Sequence, residues 1–241
     1  MTQFIADESF WNLFPTARLG VLVVRGIDNT PREDAAIAQD LANSHAAALV
    51  HVPNETWTDN DVVRRWRDAF QQFKTKKGAR SSIEALLKRV SNGNTIGSIN
   101  PLVDVYNAIS LQFGVPVGGE DLATVQGDVR LTVADGGESF RPLGAETDEP
   151  ALPGELIYKD DAGAMCRCWN WREAERTMLT ASTTDAIMVL EAVDDSTDDT
   201  FWQAAEALAA AIRAHLGGDV QVNRVTREAP TVEIDGTTVA R

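Results

Sequence analysis

Two pairs of strand-like runs, each wrapped around a turn rich in Gly and Asp, constrain this 241-residue chain more than any other feature. "GDVRLTVADGGESFRPLG" sets one run on each side of Ala134-Asp135-Gly136-Gly137, a turn sequence that accepts positive φ. "GELIYKDDAGAMCRCWNW" repeats the arrangement around Asp160 to Gly163. Such runs pair locally as antiparallel hairpins, while the helical stretches lie toward the ends of the chain. Clustered hairpins with helices outside them predict an α+β fold rather than a regular alternation of strand and helix.

Further strands are predicted at "RLGVLVVRGI" (Arg18 to Ile27), "AIMVLEAV" and "DVQVNRV", all β-branched. A helix is expected from Thr30, as N-cap, with Pro31 in the first turn and Glu33 and Asp34 at the positive end of the dipole. "TDNDVVRRWRDAFQQF" carries Val62, Trp66 and Phe70 on one stripe. "SSIEALLKRVSNGN" reads as a short capped helix ending at Gly93, and "DDTFWQAAEALAAAIRAHL" as a helix closed by Gly217. The tail from Thr226 is polar and expected to fray. With no repeat, low-complexity tract or long linker, one domain over 1–241 is expected.

The 44% apolar and 24% charged fractions belong to an ordinary soluble protein with a sizeable core. No run of about 18 apolar residues occurs and the N-terminus lacks a basic flank before an apolar stretch, so no membrane contact and a cytoplasmic location are expected. Cys166 and Cys168 are too close for a good disulfide, and no Cys/His set has zinc spacing. Reduced thiols, no metal and no cofactor are the expectation.

The net charge of −14 argues against indiscriminate nucleic-acid binding, DNA included. The balance is uneven. Arg64 to Arg89 holds nine basic residues against two acidic ones, a segment of +7 that leaves −21 elsewhere. A basic strip on an acidic body suits one oriented polyanion, or else a solvated helix face. His45, His51 and His215 lie far apart, and no G-x-S-x-G, Walker or H-E-x-x-H pattern exists. No activated side-chain nucleophile is announced, which leaves room for a hydrolase that only positions a substrate and a water.

"SINPLVDVYNAISLQFGVPVGGEDL" (Ser98 to Leu122) combines an amphipathic helix, interrupted by Asp104 and Asn107, with a loop containing Gly118 and Gly119. It resembles the segment of the bacterial phenylalanyl-tRNA synthetase β subunit that reads roughly S-I-N-x-L-V-D-V-T-N, then a helix, then G-x-P-L-H-x-F-D. "SSIEALLKRVSNGNTIG" before it, and "GDVRLTVADGGESFRPLGAE" and "LIYKDDAGAMCRCWN" after it, keep the same order of elements from about Arg80 to Glu173. The chain is identified on these residues as a freestanding member of the B3/4 domain family, related to that subunit's B3/B4 editing module. The resemblance implies a layered β-sandwich core, about residues 80–180, with flanking helices. It implies a trans-acting deacylase for mischarged tRNA, and it does not imply aminoacylation. A catalytically inactive module that binds tRNA, an amino acid or a small metabolite is the alternative.

The resemblance also assigns residues. Asn107 falls at the editing pocket, to hold the substrate amine or a water, and Asp104 either orients that amide or bonds nearby backbone. Gly118 and Gly119 allow close backbone approach, although Gly118 stands where the synthetases have His. Glu146 falls where the synthetase reads a polar group of the rejected amino acid. Small synthetase residues are replaced by Arg167, Cys168, Trp169 and Asn170. On a pleated strand either Arg167 with the tryptophans or Asn170 with the cysteines faces the cavity. Arg167 is suited to phosphate or carboxylate and Asn170 to a water; Lys76, Lys77 and Arg80 are expected to contact tRNA phosphate. A cleft between the central helix and the second hairpin should hold the acylated 3′ end.

Overall fold

A computed structural model of the chain describes residues 2–235. Its first sheet is mixed, in the order β10 (Thr231–Glu233), β1 (Gln3–Ala6), β4 (Val129–Val133), β5 (Leu156–Asp160), β6 (Gly163–Arg167), β7 (Arg172–Glu173). The second is antiparallel throughout, in the order β3 (Val117–Asp121), β8 (Ala186–Ala192), β2 (Arg18–Arg25), β9 (Asp219–Val225). Six α-helices flank the sheets among the described residues: α1 (Glu8–Leu13), α2 (Ala35–Ala48), α3 (Asp61–Ala69), α4 (Ser82–Ser91), α5 (Pro101–Phe113) and α6 (Asp198–Leu216). The α+β sandwich expected from the sequence is borne out.

Alternation along β2 and β8 builds the layers. Leu19, Val21, Val23, Ile187 and Val189 meet Phe4, Leu131, Leu156 and Met165 of the first sheet. Their neighbours Leu22, Val24, Met188 and Leu190 pack under α2, α5 and α6. The second sheet is thus covered on both faces, which is why its strands read as unbroken apolar runs. Helices α1, α3 and α4 close one end of the sandwich around Trp169.

Local signals set α5 and the second hairpin. Asn100 caps α5 by accepting from the Val103 N–H, Pro101 occupies the first turn, and Gly114 ends it at φ 68. The hairpin closes with Asp160 opposite Gly163. Elsewhere the structure differs from expectation. The residues after Gly137 do not return as a strand: β4 pairs with β5, and the intervening segment brings Phe140 onto Ala134, Ile157 and Ala164. The apolar exterior of the sheet needs that cover more than it needs another strand. Helix α2 starts at Ala35, with Asp34 rather than Thr30 as cap. The supposed glycine loop is the edge strand β3. The tail supplies β10 before leaving the described residues, and its frayed end lies outside them. No helix among the described residues is long and apolar enough to cross a membrane.

Candidate active site between the sheets

The site begins where β6 ends. Cys168 and Trp169 have φ of 48° and 64°, a left-handed pair that non-glycine residues seldom adopt and that costs on the order of 1–3 kcal/mol per residue. A 2.6 Å hydrogen bond from the Trp169 N–H to the Leu156 carbonyl holds it there. This reversal breaks the pleat, so neither face predicted for the strand is right: Cys166, Trp169 and Asn170 line a gap between the sheets, and Arg167 points elsewhere.

Arg167 is 2% exposed and pairs with Glu155, itself fully buried. Its Nε and Nη2 donate to the two carboxylate oxygens at 2.7 and 2.6 Å, and Nη1 donates to the Glu149 carbonyl at 2.6 Å. Its guanidinium also sits 5.5 Å from the centre of the Phe140 ring. Enclosed and fully engaged, it cannot take a substrate phosphate, which corrects its expected role. Lys76 is ion-paired with Glu149, and its N–H meets Cys168 Sγ at 3.5 Å, so it belongs to the same structural cluster.

On the other side the gap is acidic. Glu191 of β8 accepts from Tyr158 Oη and from Asn170 Nδ2, both at 2.6 Å. Burial nonetheless pushes its carboxyl up to about 8. Glu120 of β3 and Glu173 of β7 both line the gap; burial, and for Glu120 also the charge of Glu173, raises both. Among the described residues no Lys or Arg lines the gap. Arg176, whose charge reaches Glu120, donates at 2.9 and 2.7 Å to Asp160 instead. Burial pushes the Cys166 thiol up, and the Cys168 thiol to about 11, so neither is a thiolate nucleophile near neutral pH. The room in the gap is about 30 Å³, enough for a water or an ammonium group and too small for a whole amino acid.

Trp169 fills more space than it leaves. Its ring lies 4.6 Å from Phe14, 4.9 Å from Trp66 and 5.5 Å from Phe10, centre to centre, as part of the core. Gly118 also lines the gap, and a Cβ there would stand 3.2 Å from Glu173 Oε1. Gly119 lines the gap as well, but a Cβ there would collide with Met188 Sδ, so its bareness serves packing.

The remaining expected residues lie apart. Asn107 is buried on α5 and is not part of the gap wall, so the expected cleft against the central helix is replaced by one between sheets. Asp104 accepts from the Ile99 N–H at 2.8 Å and from Ser98 Oγ, stapling the approach to α5. It lines a separate groove of about 790 Å³ along α2 and residues 95–101, which also holds His45. Glu146 is exposed on the loop over the first sheet, and Lys77 and Arg80 are exposed before α4. The N–H of Ser82, two residues beyond Arg80, donates to the Asn170 carbonyl at 3.1 Å, which ties this basic approach to the gap. Among the described residues no three His, Cys, Asp or Glu side chains are grouped to hold a metal ion.

Residues 65–210 match the family model of the B3/4 domain. The chain belongs to the B3/4 domain family. The family expected from "SINPLVDVYN" and its flanks is thereby borne out. Among curated proteins, this B3/4 chain is 35% identical over 68 residues to the phenylalanine–tRNA ligase β subunit of Shewanella oneidensis. That match covers 28% of this chain and 8% of the subunit, so the B3/4 chain spans a small part of its relative. Among solved structures, an N-terminal fragment of the phenylalanyl-tRNA synthetase β subunit from Pyrococcus horikoshii superposes with a TM-score of 0.49 at 12% identity, over 90% of this chain and 49% of that one.

Every side chain named at the gap lies inside the B3/4 match. Glu120, Glu173 and Glu191 were not singled out from the sequence. "AIMVLEAV" held a signal nonetheless, since a carboxylate within an unbroken apolar strand must be buried and needs a reason.

Proposed function

We propose that this B3/4 protein hydrolyses, in trans, the ester that joins an amino acid to the terminal ribose of a mischarged tRNA. One observation carries the reading: Glu191, oriented by Tyr158 and Asn170, is a buried carboxyl held near 8 at a gap sized for a water. A base with that pKa is about one-tenth ionised at neutral pH and is well matched to proton abstraction. Glu191 takes a proton from water, and the water oxygen bonds to the ester carbonyl carbon. The carbon–ribose oxygen bond then breaks, and the proton passes from Glu191 to the departing oxygen, giving free amino acid and a tRNA hydroxyl. An aminoacyl ester is already activated, so orientation and one base suffice without a covalent nucleophile. The similarity to a tRNA ligase subunit supports the substrate class, and exposed Lys77 and Arg80 are suited to phosphate.

The size of the room favours one other reading, a module that binds its ligand without cleaving it. In the deacylase the amino-acid side chain stays at the mouth, or the edge strand β3 parts from β6. The two are separated by incubating the protein with a panel of labelled mischarged tRNAs and measuring released amino acid. Release that falls about a hundredfold or more in a folded Glu191→Gln variant supports the deacylase. Binding without release replaces it with the module, and neither binding nor release overturns both.

A further inference from the structure

Glu191 and Asn170 account for one wall of the gap only. On the other, Glu120 is 7% exposed, and Glu120 Oε2 and Glu173 Oε2 are buried without a hydrogen-bond partner. Trp169 Nε1, on a fully buried side chain, is a third polar atom without a partner beside the same gap. Two adjacent buried carboxyls cannot both ionise easily, so the pair keeps a proton and carries at most one unbalanced negative charge. Burying such a pair destabilises the fold unless something of opposite sign completes it. Among the described residues no Lys or Arg lines the gap; the charge of Arg176 acts on Glu120 from outside it, while its guanidinium is held by Asp160. Room of about 30 Å³ accepts an ammonium group and little more. Gly118 contributes by leaving the space that the Glu173 carboxyl occupies.

We infer that Glu120 and Glu173 form the seat of the substrate's α-ammonium group, so that the protein acts on amino acids whose α-amine is free. The identity of the substrate rests on the deacylase reading; the demand for a cation rests on the gap itself. An ammonium group has three N–H donors, two of which satisfy the partnerless oxygens. The Trp169 N–H has the opposite sign and suits the carbonyl side of the same molecule. An acylated amine loses its charge and two of its donors, so tRNA carrying a formyl-, acetyl- or peptidyl-amino acid is excluded.

The experiment compares free and N-acetylated forms of one substrate in two assays. The first is hydrolysis of alanyl- and tyrosyl-tRNA. The second is calorimetric binding of the hydrolysis-resistant 3′-alanylamido- and 3′-tyrosylamido-adenosines. Acetylation is expected to weaken both readouts at least about tenfold, and E120Q or E173Q, each checked for thermal unfolding, to shrink that preference to about twofold. Hydrolysis indifferent to acetylation overturns the seat and leaves the deacylase standing. Amine-dependent binding without hydrolysis keeps the seat and removes the deacylase. Equal binding of both forms, or binding of neither, overturns the seat. The wild-type comparison holds even if a Gln variant does not fold.

Discussion

Arg167 and Glu155 bury their charges as a bidentate pair with a further bond to backbone, whereas Glu120, Glu173 and Glu191 are buried around a gap with no Lys or Arg among the described residues of its wall. The two clusters are joined by one turn, Cys168 to Asn170, and they differ in whether the protein completes its own electrostatics. A balanced buried pair is explained once its partners are named. An unbalanced one raises its pKa values, keeps partnerless oxygens, and is explained only by something it binds or a proton it moves.

The contrast breaks most visibly at Glu155. Glu155→Ala leaves the Arg167 guanidinium buried without its carboxylate and should lower stability by about 3–5 kcal/mol in denaturant unfolding. Glu120→Gln should instead unfold at the same or a higher denaturant concentration, because it removes a charge the fold does not offset. Equal losses in both variants would erase the distinction.

Next in size is an opposed pH dependence. Glu191 keeps its proton up to about pH 8 when folded but only to about 4.3 in the unfolded chain. Between those values the folded state binds more protons, so its contribution to stability is fully present below about pH 4 and is lost as pH rises through about 8. Glu120 and Glu173 act in the same direction. Denaturation midpoints should therefore be higher at pH 5.5 than at 8.5, with a smaller difference in Glu191→Gln. Ester hydrolysis should rise across the upper part of that range as Glu191 ionises. A midpoint that does not move with pH would remove the basis for treating Glu191 as an uncompensated acid.

Smallest is the effect at Asn107, which lies outside the gap wall. Asn107→Ala should change deacylation by less than about threefold. A tenfold loss with the fold intact would move the chemistry from the sheets to α5.

Much of the fold was legible because its signals are local. Asn100, Pro101 and Gly114 mark the ends of α5, Asp160 to Gly163 closes a hairpin, and continuous apolar runs mark β2 and β8. Strands β1 and β10 were missed, since four and three residues carry little periodicity and are held by distant partners, such as Phe4 by Val129 and Val232. The first hairpin was misread because Gly136 and Gly137 specify a turn without specifying the conformation of the residues beyond it. Within the site, Asn170, Gly118, Gly119 and Trp169 were singled out and do line the gap, whereas Asn107, Glu146 and Arg167 do not.

By itself the amino-acid sequence determined the family, the α+β layering and the helix and hairpin boundaries that nearest neighbours dictate. Which of its many carboxylates lie together was decided only in three dimensions. Glu120, Glu173 and Glu191 come from three strands in two sheets, and the left-handed turn at Cys168 and Trp169 selects Asn170 rather than Arg167 to join them. A local pattern fixes which face a strand presents, but a reversal held by a distant carbonyl and a shared aromatic core can override it.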